Sequence, residues 1–232
     1  MNPYLLYLLF IAALIFSVVA QVKVSTTFSR YSRVSAGRGH TAAEVARRIL
    51  DAHGLFDVRI ERVGGHLSDH YDPRSRVLRL SEGVYGASSA AAVGVAAHEV
   101  GHAIQHATAY KPLVIRSKLV PAVNFAARFS WIAILLGSLL LVFSEALGTY
   151  VLFIGVVLFA ATTLFHLVTL PCETNASRRA LAELELTGWY NKGELSACRQ
   201  VLSAAAMTYV AALAVSLIQL LRLLSIFSHR RR

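Results

Sequence analysis

The sequence predicts a mainly α, multi-pass helical membrane protein that carries a small α+β region outside the bilayer. Of 232 residues, 56% are hydrophobic and only 16% are charged, far from the composition of an ordinary soluble domain. Apolar runs at Pro3–Ala20, Trp131–Phe143, Tyr150–Leu170 and Val201–Leu221 are flanked by basic residues, as membrane spans are. Between Phe28 and Arg128 the pattern changes to the mixed periodicity of short strands and helices. These observations divide the chain into an anchor over 1–22, a folded region over 23–128, a membrane hairpin over 129–170, a helix with a polar connector over 171–200, and an apolar helix with a basic tail over 201–232.

Pro3 to Ala20 contains no charged residue and reaches spanning length if Met1 and Val22 contribute. It lacks the basic start of a secretory signal and is followed by Lys23, Arg30, Arg33 and Arg38, so the positive-inside bias places the N-terminus outside. The competing reading is a signal peptide cleaved near Ala20. Thr41 begins a helix: Glu44 completes a capping box, Val45, Ala46, Ile49 and Leu50 supply an apolar face, and Gly54 ends it. Leu55–Val63 alternates Phe56, Val58 and Ile60 with charged residues, the pattern of a half-buried strand. After Gly64-Gly65, Asp69-His70-Tyr71-Asp72-Pro73 reads as a polar loop and Arg76–Leu80 as a second strand.

The next stretch, Ser88 to Tyr110, is alanine-rich, free of proline and helical by propensity. It contains His98-Glu99-Val100-Gly101-His102. Residues four apart share a helix face, so His98 and His102 can offer both imidazoles to one metal, with Glu99 beside the open coordination position. Two neutral imidazoles, a place for water and a carboxylate to take its proton are what a zinc hydrolase needs. The plainer alternative is a helix whose histidines are satisfied by hydrogen bonds. The small neighbours Ala96, Ala97 and Gly101 favour the metal.

Trp131–Phe143 and Tyr150–Leu170, joined by Ser144–Thr149, read as a hairpin. Lys118 and Arg128 before it and Arg178 and Arg179 after it put the tip outside. A residue just past the hairpin therefore returns to the face that carries Gln21–Arg128. Glu173 is such a residue, at the start of a helix read as Pro171–Leu181. It offers a third metal ligand, but an acid in a first turn also complements the helix dipole, and spacing leaves both readings open. His106 lies one turn too far along to share the metal comfortably, and Gln105 and Thr108 stand where a third-histidine motif requires glycine and histidine. The last run, Val201–Leu221, is long enough to span but would leave His229–Arg232 outside, against the charge bias.

The net charge of +10 does not indicate nucleic acid, because the basic residues flank apolar runs without aromatic-basic surface motifs; juxtamembrane Lys and Arg account for it. Two cysteines, Cys172 and Cys198, make no disulfide framework and fit a reducing compartment.

Taken together, Asp69–Pro73, Val77–Ser81, Ala96–Gln105, and Glu173 with Asn175–Ala180 resemble the YugP-type bacterial membrane zinc metallopeptidases along nearly the whole chain. More distantly, the glutamate helix is similar to that of the HtpX-type and CAAX-prenyl membrane proteases, which read Glu-x-x-Ala-Asp. The resemblance implies a zincin-like α+β catalytic region of gluzincin type, with one Zn2+ per chain bound by His98, His102 and Glu173, and Glu99 as general base. It implies a zinc metalloendopeptidase embedded in the lipid bilayer of a bacterial inner membrane. Its catalytic site is expected on the cytoplasmic face, and its expected substrates are polypeptides, membrane-associated proteins above all. Ser177 departs from the distant pattern, replacing an aspartate that would orient a histidine.

Further expectations attach to this reading. The strand just ahead of the catalytic helix is the expected edge for an extended substrate, and His70 or Tyr71 is expected to contact substrate or the developing oxyanion. An intramembrane protease with an aspartate ligand from a later helix is disfavoured, since Asp51, Asp57, Asp69 and Asp72 all precede the motif. The rival from another class is a non-catalytic zinc-binding membrane scaffold or assembly factor, which has no use for Glu99.

Overall fold

The computed structural model describes residues 3–65 and 67–229; Met1, Asn2 and the Arg230–Arg232 part of the basic tail lie outside the described residues. In chain order the elements are α1 (Pro3–Tyr31), α2 (Ala42–Ala52), β1 (Arg59–Val63), β2 (His70–Asp72), β3 (Val77–Ser81), α3 (Glu82–Tyr85), α4 (Ala90–Ala107), α5 (Lys111–Leu140), α6 (Glu145–Leu186) and α7 (Lys192–His229). The protein is mainly helical with one small sheet, and α1, α5, α6 and α7 are each long and apolar enough to cross a membrane.

The chain forms two compact units. The first comprises Met1–Val19, Ile115–Leu170 and Tyr209–Arg232. In it Gly137 and Gly155 let α5 and α6 meet at backbone distance: a Cβ on Gly137 would lie 2.5 Å from the Leu152 nitrogen, and one on Gly155 2.7 Å from Ile134. Small residues at such crossings are how membrane helices pack closely.

The second unit, Ala20–Val114 and Pro171–Thr208, holds the sheet and the motif helix. Thr41 and Glu44 form the reciprocal capping box that opens α2. The buried Val45, Ala46, Ile49 and Leu50 then pack with Leu55, Val58, Leu78, Leu80 and Val84 against the alanine face of α4. The strand expected from Leu55 begins only at Arg59. Gly54, at φ +68, turns the chain so that the Leu55 N–H closes back on the Leu50 carbonyl, and Leu55 and Val58 fill the core from a turn.

Sheet order is β1-β3-β2, with β1 parallel and β2 antiparallel to β3. This corrects two expectations. Asp69–Pro73 is not simply a loop: His70–Asp72 is a strand, too short for alternation to reveal. It is clamped by Asp69, whose carboxylate accepts from the Ser81 N–H at 2.7 Å and the Ser81 hydroxyl at 2.9 Å. The expected substrate edge moves as well. β3 is paired on both sides, so the edges are β1 and β2, of which β2 packs against α4.

The hairpin helices also run longer than their apolar runs. α5 starts at Lys111 and contains Pro121, while α6 passes through Pro171 without a break. A proline in a long apolar helix is tolerated where local groups and neighbours compensate for the lost hydrogen bond. Glu173 therefore sits deep inside a 42-residue helix, and a first-turn dipole role does not apply to it.

Candidate active site

α4 is positioned by its own sequence. Ser89 caps it, its hydroxyl accepting from the Ala92 N–H at 3.2 Å. Ala90–Gly94, Ala96 and Ala97 then bury, and at Gly101 the helix meets α6: a Cβ there would fall 2.6 Å from the Ala176 carbonyl oxygen. Only glycine permits this approach, and it brings Glu173 beside the two histidines.

The three side chains converge. Glu173 Oε2 lies 3.1 Å from His98 Nε2 and 3.5 Å from His102 Nε2, and the candidate ligand atoms all fall within 4.8 Å of one another. Ligands bound at about 2.0–2.1 Å in a tetrahedron stand roughly 3.3 Å apart, so the two glutamate separations suit a zinc ion. Glu173 and His102 are buried, and His98 is nearly so.

The other ring nitrogens are held from behind. His98 Nδ1 lies 3.0 Å from the Ser177 hydroxyl, so a serine occupies the place in which an orienting carboxylate was expected to be missing. His102 Nδ1 lies 3.0 Å from Gln105 Oε1. The amide orientation follows from its surroundings: Gln105 Nε2 donates to the Cys172 carbonyl at 2.8 Å and to Asn175 Oδ1 at 3.0 Å, and Asn175 Oδ1 also accepts from Arg179 Nε at 2.9 Å. With Gln105 Oε1 facing His102, Nδ1 must carry the proton, which leaves the Nε2 lone pair directed at a carboxylate. A positive centre, proton or metal ion, is needed between them. Burial alone would push the His102 imidazole down, but its hydrogen bonds to Cys172 and Glu173 and the nearby Glu99 and Glu173 charges outweigh burial and raise it to about 10.

Glu99, half-buried on the same helix, accepts at Oε2 from the Tyr71 backbone N–H at 3.0 Å. Burial pushes its carboxyl above the ordinary glutamate value, against the lowering pull of His98 and His102. Tyr71 is held at its other end too, its phenol oxygen 2.9 Å from His106 Nδ1. The residue thus lies along the α4 face shared by positions 99, 102, 103 and 106. Burial also raises the Tyr71 phenol, which keeps it protonated.

His70 points elsewhere. Its exposed ring puts Nδ1 2.8 Å from the Ser68 carbonyl and Nε2 3.5 Å from Arg79 Nη1. A carbonyl only accepts, so Nδ1 carries the proton and the neutral ring has no second N–H to offer.

Sequence reasoning overlooked Gln105, Asn175 and Arg179 as supports; His106, set aside there as a ligand, meets the Tyr71 phenol instead. One spacing carried a missed signal: Gln105 is three residues beyond His102, on the same helix face.

The family model described as "Putative neutral zinc metallopeptidase" matches residues 6–228. The chain is 49% identical over 221 residues, 95% of its own length and 96% of the relative's, to the "Putative membrane protease YugP" of Bacillus subtilis (strain 168). No solved structure matches it. Matched along nearly its whole length by both, this chain belongs to that family of membrane zinc metallopeptidases.

Proposed function

We propose that the protein is a membrane-bound zinc endopeptidase of gluzincin type, with His98, His102 and Glu173 as ligands to one zinc ion and Glu99 as general base. The observation that carries this reading is the convergence of His98 Nε2, His102 Nε2 and Glu173 Oε2, with Glu99 alongside. Zinc held by these atoms supplies a Lewis acid that polarises the scissile carbonyl and acidifies water.

The chain's own residues do the rest. The Tyr71 N–H steadies one Glu99 oxygen, leaving the other to take the proton of the attacking water and pass it to the leaving amine. If His106 donates Nδ1–H to the phenol oxygen, Tyr71 keeps its own hydrogen for the developing oxyanion, a role for which His70 lacks a donor. The substrate adds to the open side of β2. In an antiparallel ladder a residue whose N–H turns off the partner strand turns its carbonyl the same way, so the Tyr71 carbonyl faces an incoming peptide.

The basic residues of the second unit, among them Lys23, Arg30, Arg33, Arg178 and Arg179, support a site on the cytoplasmic face of a bacterial cell membrane. Substrates there are polypeptides of that membrane or beside it.

The test is hydrolysis of a quenched fluorescent protein by the detergent-purified chain, wild type beside Glu99→Gln, with zinc content determined for both. Cleavage by wild type alone at equal zinc supports the reading. Equal zinc without cleavage by either favours a zinc-holding scaffold, and absence of zinc from both removes the ligand assignment.

A further inference from the structure

Away from the catalytic motif, one arginine stands among apolar helices with no carboxylate among the described residues to answer it. Arg222 lies on α7, seven residues before His229, hence about 10 Å inside the helix end by the rise per residue. It falls within the apolar stretch Lys192–Ile226. A charge at such a place is costly unless it is paired or reaches the interface.

Among the described residues, the groups that hold it are uncharged. Nη1 donates to Gln219 Oε1 at 2.7 Å, and the guanidinium carbon lies 4.3 Å from the Phe10 ring centroid and 5.4 Å from that of Tyr7, both on α1. Ring faces and an amide oxygen steady the cation without neutralising it. The unit contains one acidic residue, Glu145, and among the described residues no carboxylate pairs with Arg222.

Beside the guanidinium is a cavity of about 220 Å³ lined by Leu6, Tyr7, Arg222, Ser225 and Ile226. Its apolar walls come from two helices of membrane-spanning character, and Tyr4 and Tyr7 in the first turns of α1 are the aromatic residues that sit at headgroup level. Arg222 uses one N–H on Gln219, which leaves a planar fork of donors for two oxygens of one anion.

We propose that Arg222, with Tyr7 and the cavity between α1 and α7, is a binding site for the phosphate of an anionic phospholipid headgroup. The lipid supplies the missing negative charge, its chains lie along the apolar helix faces, and the cavity takes the glycerol end. A zwitterionic lipid binds more weakly, because its own ammonium competes for the phosphate.

The test is native mass spectrometry of the full chain released from detergent, incubated with phosphatidylglycerol, phosphatidylcholine or diacylglycerol. Wild type is expected to retain one phosphatidylglycerol that Arg222→Gln retains about tenfold less, the loss of one charge-assisted contact. Arg128→Gln, another cation of the same unit, is expected to leave retention unchanged. If Arg222→Gln does not fold, Ile226→Trp decides, since it fills the cavity and keeps the cation; it is expected to lose the lipid likewise. Equal retention by wild type and by whichever of these variants folds overturns the site. Displacement of the lipid by free sn-glycerol 3-phosphate overturns the lipid in favour of a soluble phosphate ligand, and equal retention of phosphatidylcholine overturns the requirement for net charge.

Discussion

The backbone N–H of Tyr71 donates to the carboxylate of Glu99 at 3.0 Å, tying the edge strand β2 to the helix that carries both histidines. A backbone donor cannot swing away as a side chain can, so one carboxylate oxygen is held and the other is directed. At its other end Tyr71 meets His106 at 2.9 Å, so the residue is anchored twice beside the site.

From that arrangement, Tyr71→Phe keeps the N–H contact and removes only the hydroxyl. Activity is expected to fall about a hundredfold in kcat with KM little changed, the usual consequence of deleting one oxyanion donor. Steady-state kinetics on a peptide substrate measures this. A change confined to KM would instead make Tyr71 a substrate-binding residue.

Gln105 is fully buried and joins His102 to Cys172 and Asn175. Gln105→Leu fits the space but leaves the buried His102 Nδ1–H without its acceptor and takes one donor from the Cys172 carbonyl and from Asn175 Oδ1. Zinc affinity is expected to drop roughly 10–100-fold, as for other residues that orient a ligand from behind, whereas Gln105→Glu, which can still accept from His102, is expected to lose less. Competition with a fluorescent chelator reads both, and unchanged affinity in the leucine variant would falsify the orienting role.

Two α4 glycines should respond oppositely to alanine. A Cβ on Gly101 meets the Ala176 carbonyl at 2.6 Å, whereas one on Gly94 finds Cys198 at an ordinary 3.6 Å. Gly101→Ala must push α4 from α6 and is expected to cost roughly 3 kcal/mol, at the upper end for overpacking, and to weaken zinc binding. Gly94→Ala gains helix propensity and is expected to stabilise by about 0.5–1 kcal/mol. Thermal unfolding in one detergent compares the pair; similar shifts in both would show that α4 and α6 approach less closely at Gly101.

The pH profile has a definite sign. Glu99 must be ionised to accept a proton, and burial raises its carboxyl above 4.5. Activity is therefore expected to decline, as pH falls, at a higher pH than an ordinary glutamate would give, and to recover on return to neutral pH. An acid limb of kcat/KM centred at or below 4.5, measured with zinc in excess, would mean that the proton acceptor is not a buried carboxylate.

Much of this protein was readable from local pattern. Spans declare themselves because a bilayer demands long apolar runs, the α2 capping box because its two bonds are made within four residues, and His98, Glu99 and His102 because helical periodicity alone puts them on one face. What depended on distant partners was not readable. Whether Glu173 was a ligand or a dipole complement rested on whether Pro171 starts a helix, and the sequence marks only a break that the neighbouring groups override. β2 reads as a loop in the sequence because three residues carry no period, and its pairing with β3 and its clamp at Asp69 come from residues five to twelve positions away. The roles of Gln105 and Ser177 depend on the approach of α4 and α6 at Gly101, across some seventy residues of chain. Which groups could do the chemistry follows from the chain alone, since their identity and helical phase are local. How each is oriented comes from the fold, because a hydrogen-bond partner or a close helix crossing is supplied by packing that no local pattern encodes.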